Sequence, residues 1–260
     1  MPDAARGQVH TGAAEVYDSI FVPALFGRFA EAVAEASRIG PADRVVDVAC
    51  GSGALTRAVR SRTTGRVVGI DVNPAMLAVA RHRGGAIEYV EGDGQDLPFV
   101  DDEFDVATCQ FGVMFYPDPL KGIAELARVG RSAAVAVWGP IEQSAGYVAM
   151  RELFRDELGE DAANSLDAPF AMGARGVLEA LFSEAGIGAV SYRSVEGTGR
   201  FDSIEQWVTT EVRGWTLSAS VSERRLAELI AVARHRLGRF GTGNGCVFGM
   251  TAKIATWQHE

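Results

Sequence analysis

The chain has 260 residues, of which 47% are hydrophobic and 23% are charged, and its net charge at pH 7 is -9. This length is enough to bury a full core without a metal or a disulfide, and it favours one domain with an elaboration over two independent domains. The negative charge argues against a nucleic-acid duplex or an anionic membrane as the main partner, because both would repel an acidic protein.

The cysteines and the termini set expectations for the compartment. Cys50, Cys109 and Cys246 are widely spaced in apolar runs and fit neither a metal site nor a disulfide framework. Residues 1–12 lack the apolar core of a signal peptide, and no apolar run is long enough to cross a bilayer. These features predict a soluble, cytoplasmic protein with reduced cysteines and no metal, and they leave the oligomeric state open.

The chain begins with a predicted helical cap over residues 13–39, in which apolar residues recur near helical spacing. Pro23 is expected to split this cap into two short helices. The first strand, 44–48, runs into a glycine-rich turn around Gly51 and Gly53, and an amphipathic helix follows directly. This order is typical of a buried parallel strand, a tight loop and a helix whose free N-terminal amides face the loop.

Strands and helices then alternate as far as Trp138. Further strands are predicted at 66–70, 86–90, 104–109 and 132–138, with helices starting at 73–74 and 117. Such alternation indicates right-handed βαβ units and a parallel sheet that helices cover on both faces. Ligands of these sheets bind outside the carboxyl ends of the strands.

The pattern changes after the fifth strand. Residues 141–170 are predicted to be helical and are too short for a core of their own, so we interpret them as a lid. The remaining elements are predicted at 176–185, 189–195, 204–215, 221–237 and 246–257. The expected fold is one α/β domain over residues 1–260, with a doubly wound, mostly parallel, seven-stranded Rossmann-like sheet and the lid inserted after the fifth strand.

Three aspartates stand at the ends of successive predicted strands. Asp47 lies in the first strand-loop unit, Asp71 ends the second strand and Asp93 follows the third. Each alone fits a cap or a turn residue equally well. Together they favour a nucleoside ligand, because a carboxylate after the second strand is placed to accept from ribose hydroxyls and one after the third from an exocyclic amine.

The glycine loop distinguishes between nucleosides. A dinucleotide-binding loop requires a third glycine where this chain has Thr56, and the acidic Asp47 precedes the loop. This favours a ligand with a positive charge and an amine over a pyrophosphate, so a nicotinamide-dependent oxidoreductase is a disfavoured alternative. S-adenosylmethionine is such a ligand, and its sulfonium activates a methyl group that the protein needs only to align with an acceptor.

Four motifs occur in order along the chain: VDVACGSG at 46–53, GIDVNPAML at 69–77, GDGQDLPF at 92–99, and FDV leading to QFG over 104–112. They resemble the class I S-adenosylmethionine-dependent methyltransferases, specifically the ubiquinone/menaquinone-biosynthesis-like (methyltransferase type 11) group. The resemblance runs from about Tyr17 to Trp138. The chain departs from the family at Ala49, where glycine is usual, and at 129–131, where a shortened link replaces a Pro-Gly-Gly turn.

The resemblance implies a set of cofactor contacts. Asp47 would reach the methionine amine directly or through water, Asp71 would hold the ribose hydroxyls, and Gln110 would lie near the methyl group. Val72 and Met76 would flank the adenine, while Asp93 and the Gly94 amide would read its edge. The other residues that the resemblance places at the cofactor are Ala49, Gly51, Gly53 and Tyr17, the last as a cover.

The methyl acceptor is less well defined. An aromatic run after the fourth strand, with Trp138 opposite, predicts a pocket for a small and largely apolar acceptor, although core packing explains these residues equally well. The wall would consist of Phe111, Phe115, Tyr116 and Trp138. Glu142 is the one candidate for a general base. His82, His235 and His259 are expected to face solvent, and His10 lies in a terminus expected to be disordered.

The sequence therefore predicts an enzyme that methylates an oxygen, nitrogen or carbon of a small metabolite, in the biosynthesis or tailoring of a natural product. The alternative is an enzyme that binds the same cofactor but catalyses a cyclisation or rearrangement, because its cofactor residues would look the same.

Overall fold

Eight strands form one mixed sheet in the computed structural model, which describes residues 11–214, 217 and 220–258. Their order is β3-β2-β1-β4-β5-β8-β6, and the short β7 pairs with β8. The strands are β1 (Val45–Val48), β2 (Val67–Asp71), β3 (Glu88–Glu91), β4 (Phe104–Gln110), β5 (Gly130–Trp138), β6 (Ser191–Phe201), β7 (Gly241–Thr242) and β8 (Gly245–Gln258). β1 to β5 are parallel, whereas β8 is antiparallel to both β5 and β6.

The predicted α/β fold with a mostly parallel sheet is confirmed. Seven of the strands correspond to the seven predicted ones, and the eighth is the two-residue β7, which is too short to give an apolar pattern. β1 shows why the sheet must be covered twice, because Val45 packs into one buried cluster while Val46 and Val48 pack into another. Alternate side chains of a strand point to opposite faces, so helices cover both.

The helices of the described chain flank this sheet: α1 (Thr11–Val16), α2 (Gly27–Ala36), α3 (Ala54–Arg60), α4 (Pro74–His82), α5 (Pro119–Val129), α6 (Ala145–Leu158), α7 (Glu160–Asp167), α8 (Val177–Glu184), α9 (Ile204–Arg213) and α10 (Glu223–Arg236).

Helix α4 begins at the predicted residues. Asn73 caps it by accepting hydrogen bonds from the backbone N–H groups of Ala75 and Met76, and Pro74 occupies the first turn, where its missing N–H costs nothing.

The prediction that Pro23 splits the N-terminal cap is wrong. A π-helix, Tyr17–Phe26, contains Pro23 and joins α1 to α2 without a break. At its end the Gly27 N–H donates to the Val22 carbonyl, five residues back. Proline has no N–H to donate in either type of helix, so the helix continues past Pro23 with one backbone hydrogen bond fewer. We call Tyr17–Phe26 the π-helical strap.

The shortened link predicted at 129–131 is shorter still in the structure, because α5 ends at Val129 and β5 starts at Gly130. A Cβ at Gly130 would lie 2.7 Å from the Ala107 Cβ, so glycine is needed for β5 to approach β4 directly after the helix.

The segment predicted as a lid is helical, with a 3-10 turn (Ile141–Gln143), α6, α7 and a second 3-10 turn (Ala168–Gly173). It packs firmly against the sheet: Tyr147 contacts Phe248 of β8 edge to face, with ring centroids 5.6 Å apart, and Leu153 and Phe154 are fully buried. Its function as a lid stays a prediction.

The described residues also bear on the remaining expectations about chemistry and location. Cys50, Cys109 and Cys246 are buried and unpaired. Within the described part of the chain, no cluster of three or more His, Cys, Asp or Glu side chains could hold a metal ion. No helix in that part is both long enough and apolar enough to span a bilayer.

Candidate functional site

Two adjoining cavities lie at the carboxyl edge of β1, β2 and β4, where the parallel topology brings three strand ends together. The larger has a volume of about 200 Å³ and the smaller about 30 Å³. They share four lining residues, namely Tyr17, Ala49, Gly51 and Gln110. The larger is also lined by Asp71, Val72, Met76, Asp93, Gly94, Phe111, Phe115 and Tyr116, and the smaller by Asp47, Cys50, Ser52, Leu55, Val22 and Phe26.

Asp71 is held in place by the backbone on both sides. One carboxylate oxygen accepts from the Gly51 N–H at 2.7 Å, and the other accepts from the Asn73 N–H at 2.8 Å. Burial raises the pKa of this carboxyl despite the two N–H donors, which act in the opposite direction. Each oxygen keeps a further lone pair, so Asp71 can accept from two ligand hydroxyls without rearranging.

Asp47 is almost fully buried, at 1% exposure, and borders only the smaller cavity. Its two oxygens accept from the hydroxyls of Thr56 at 2.6 Å and Thr108 at 2.9 Å. Burial raises its pKa to about 7, although both hydroxyl bonds lower it, and the nearby charge of Asp71 raises it further. Thr56, the residue that replaces the third glycine of the dinucleotide loop, therefore serves here as a hydrogen-bond partner of this acid.

The loop after β1 has a left-handed backbone at Ala49, with φ of 55°, and again at Gly51 and Gly53. Gly51 lines both cavities, and a Cβ there would meet nothing within 4 Å, so its φ of 55° rather than lack of space favours glycine. Gly53 lines neither cavity. It precedes α3, and a Cβ there would lie 2.6 Å from the Tyr89 hydroxyl, so its role is to let the loop turn into the helix.

Strain recurs on the neighbouring strand end. Phe111, directly after β4, also has a left-handed φ of 56°. Ala49 and Phe111 both line the larger cavity, and such a backbone costs a non-glycine residue about 1–2 kcal/mol. Strained residues that flank a cavity are characteristic of binding sites, where the surrounding structure maintains the geometry.

Two buried polar atoms in the lining of the smaller cavity have no hydrogen-bond partner in the protein. They are the hydroxyl oxygen of Ser52 and the side-chain carbonyl oxygen of Gln110, and both residues line the smaller cavity. An unsatisfied buried polar atom costs about 1–3 kcal/mol, so these two atoms point to a polar ligand group. Ser52 was missed by the sequence reasoning; its place between two loop glycines was the available signal.

The strap covers both cavities through Tyr17, whose ring stacks on Phe26 with centroids 5.1 Å apart. Burial, followed by the charges of Asp71 and Asp18, raises the pKa of the Tyr17 hydroxyl well above its usual range. The hydroxyl therefore stays protonated at neutral pH.

Three of the four predicted wall residues line the larger cavity: Phe111, Phe115 and Tyr116. The placement of Trp138 in the wall is wrong, because its ring lies behind Phe111, stacked at 3.7 Å, and lines neither cavity. Phe29 also packs against the Trp138 ring edge to face, with centroids 5.2 Å apart, so Trp138 supports the wall as a core residue.

Glu142, the predicted general base, does not border either cavity. It is exposed in the 3-10 turn after β5. His82 and His235 are exposed as expected, while His10 and His259 lie outside the described residues.

The two cavities are strongly acidic. Their linings contain Asp47, Asp71 and Asp93 but no lysine, arginine or histidine. A pyrophosphate would lie among carboxylates without a positive partner, whereas a cation would be attracted by all three. The polar groups, the carboxylates and the shape at the strand ends therefore fit a positively charged adenosine derivative.

Comparison with known proteins leads to the same class. A protein-family model described as "Methyltransferase domain" matches residues 46–137. Demethylmenaquinone methyltransferase of Corynebacterium kroppenstedtii is 44% identical over 89 residues, which is 34% of this chain and 38% of that protein. 2-Phytyl-1,4-naphtoquinone methyltransferase of Synechococcus elongatus is 35% identical over 148 residues, 52% of this chain and 62% of that protein. The chain therefore aligns with less than two thirds of the length of either relative.

A solved structure shares the fold over nearly the whole chain. Phosphoethanolamine N-methyltransferase 2 of Haemonchus contortus, in complex with S-adenosyl-L-methionine, superposes with a TM-score of 0.62 at 14% identity and covers 99% of this chain and 59% of that one. The resemblance inferred from the four motifs is thus confirmed: residues 46–137 match a methyltransferase domain, the relatives are named as methyltransferases, and the chain shares its fold with a methyltransferase solved with S-adenosyl-L-methionine.

Proposed function

We propose that this protein transfers a methyl group from S-adenosylmethionine to a small, largely apolar metabolite. The observation that carries the proposal is the acidic pair of cavities at the strand ends, with three carboxylates and no basic side chain in its lining. These carboxylates attract the positive sulfonium and ammonium groups of the cofactor and would repel a phosphate.

The residues divide between the two ends of the cofactor. In this proposal Asp71 accepts from the ribose hydroxyls, and Asp93 with the Gly94 amide contacts the adenine edge. Asp47, Ser52 and Gln110 surround the amino-acid end in the smaller cavity. The adenine lies beside Val72 and Met76. Ala49 and Gly51 belong to the loop after β1, and all four residues line the larger cavity. The bound cofactor supplies a methyl group that its sulfonium already activates.

The protein contributes position rather than acid-base chemistry. Phe111 and Phe115 line the same cavity as Gln110 and offer an aromatic wall for an acceptor. An acceptor oxygen, nitrogen or carbon in line with the methyl carbon forms the new bond as the carbon–sulfur bond breaks, and the acceptor's proton leaves to solvent. No general base is proposed. The relatives' names specify quinone-type molecules, which supports a ring-bearing acceptor and a role in the biosynthesis or tailoring of a natural product.

The proposal is tested with purified protein, methyl-labelled S-adenosylmethionine and fractions of a host metabolite extract. We expect one fraction to gain label together with an equal amount of demethylated cofactor. A fraction that is converted without label and without demethylated cofactor would assign the site to a cyclisation or rearrangement. No conversion of any fraction would overturn the proposal.

Cofactor binding should depend on pH through Asp47. Below its pKa of about 7 the carboxyl is protonated, and a cationic ligand must displace that proton to gain the charge. The affinity for S-adenosylmethionine is therefore expected to fall by up to tenfold per pH unit as the pH drops from 7 to 6. Isothermal titration calorimetry between pH 6 and 8 measures this slope and the accompanying release of protons.

Asp47→Asn is the matched variant, since the amide keeps the size of the side chain and cannot titrate. Its binding should be weaker at pH 8 and nearly independent of pH over the same range. Asp71 remains in both proteins, and because its charge raises the pKa of Asp47, the difference between the two profiles reports the loss of Asp47 together with its coupling to Asp71. Equal slopes for the two proteins would remove Asp47 from the assignment.

A further inference from the structure

The π-helical strap is attached to the rest of the protein at both ends by polar contacts. Near its start, the buried carboxylate of Asp18 pairs with Arg83, at the end of α4, and one bond of that pair measures 2.7 Å. At its end, the Phe26 carbonyl accepts from the side-chain amide nitrogen of Gln110 at 3.1 Å. Only the second attachment reaches the cavities, because Gln110 lines both and Arg83 lines neither.

The two halves of the Gln110 amide have different surroundings. A carbonyl can only accept, so the contact with Phe26 requires the NH₂ half and fixes the direction of the whole amide. The carbonyl half is then turned away from the strap, and its oxygen is buried without a partner. A buried acceptor at the boundary of two cavities requires a donor, and a ligand bound in these cavities can supply it.

We propose that Gln110 is a positioning residue that couples ligand binding to closure of the strap. Its carbonyl oxygen accepts an N–H or O–H of the ligand, while its NH₂ group holds the Phe26 carbonyl and thereby the strap, including Tyr17. This role rests on the proposed function, since it takes the cofactor as the ligand. The ligand donor restrains the amide, and the restrained amide holds the strap better than a free one, because less side-chain freedom is lost in the second bond.

Such coupling must be reciprocal. If the bound ligand stabilises the closed strap by a given factor, the closed strap strengthens ligand binding by the same factor. The Asp18–Arg83 pair, by contrast, holds the strap whether or not a ligand is bound. The two attachments therefore predict different responses to a ligand, although both stabilise the same segment.

The experiment measures amide hydrogen exchange in the full chain with and without S-adenosylhomocysteine as the probe. In the wild type, the probe should slow exchange at least fivefold both in the strap and in the loop 49–53. In Gln110→Met, which keeps the length of the side chain but loses both hydrogen bonds, slowing should persist in the loop and fall below twofold in the strap. Gln110→Glu, which keeps an acceptor and loses the donor, should behave likewise in the strap.

Arg83→Gln is the control variant. It should speed strap exchange by a similar factor in both states and leave the effect of the probe intact. Persistent slowing of the strap by the probe in both Gln110 variants would overturn the coupling. Absence of slowing in the wild-type loop would instead overturn the cofactor assignment on which the coupling rests. If Gln110→Met does not fold, Gln110→Glu provides the same test.

Discussion

Replacing Asp71 with asparagine is expected to raise the dissociation constant of S-adenosylmethionine at least tenfold, which corresponds to about 1.4 kcal/mol. Two effects act together. The site loses a charge that attracts the cation, and the loop loses an acceptor, since an amide has one oxygen where the carboxylate uses two for Gly51 and Asn73. Isothermal titration calorimetry measures the change directly.

Asp96→Asn is the control for this substitution. Asp96 is an exposed carboxylate beyond the third strand that lines neither cavity, and it changes the net charge by the same amount. Its dissociation constant should stay within twofold of the wild-type value. Equal weakening by both variants would mean that overall charge, rather than the ribose contact, determines the affinity.

A second large effect is expected at the buried pair of Glu211 and Tyr147, neither of which lines the cavities. The Tyr147 hydroxyl donates to the Glu211 carboxyl at 2.6 Å and joins α6 to α9. Burial raises the pKa of Glu211 to about 7, although the bond from Tyr147 lowers it. The folded protein therefore binds a proton that the unfolded chain, with a carboxyl pKa near 4.3, releases earlier.

The folded state is expected to lose stability as the pH rises. The proton on Glu211 contributes fully to the free energy of unfolding below the pKa of the unfolded chain, and this contribution is lost as the pH rises through about 7. Between pH 5 and pH 8 the wild type should lose about 2–3 kcal/mol of unfolding free energy relative to Glu211→Gln, which cannot titrate. Urea unfolding of both proteins at the two pH values measures this difference.

Tyr147→Phe gives an independent check of the same pair. Removing the hydroxyl that lowers the pKa of Glu211 should move the loss of stability to higher pH. Asp47 and Asp71 titrate in all three proteins and cancel in the comparison. The interpretation would be contradicted if wild type and Glu211→Gln depended on pH in the same way.

The central part of the fold could be predicted because its signals are local. The strand Val45–Val48 has three valines around Asp47 and is buried at every position, and the turn that follows it contains glycines with positive φ. The three aspartates could be placed at one edge for the same reason, since parallel strands bring their carboxyl ends together. Sequence alone thus predicted the positions of Asp47, Asp71 and Asp93.

Contacts between distant parts of the chain could not be predicted. Thr108 lies 61 positions from Asp47, and Glu211 lies 64 positions from Tyr147, so no local pattern indicates either hydrogen bond. The burial of Trp138 at the end of β5 depends in part on Phe29, which packs against it from α2. Strand β6 extends to Phe201 although most of its residues are exposed, so its apolar pattern was too weak to give its length.

The acidic lining of the cavities has a consequence for turnover. Methyl transfer turns a sulfonium into a neutral thioether, so the product carries one positive charge fewer than the methyl donor. Because the lining of both cavities holds carboxylates and no basic side chain, that lost charge weakens the attraction at the moment the product must leave. The same three aspartates thus attract the spent cofactor less strongly than the loaded one, which would limit product inhibition.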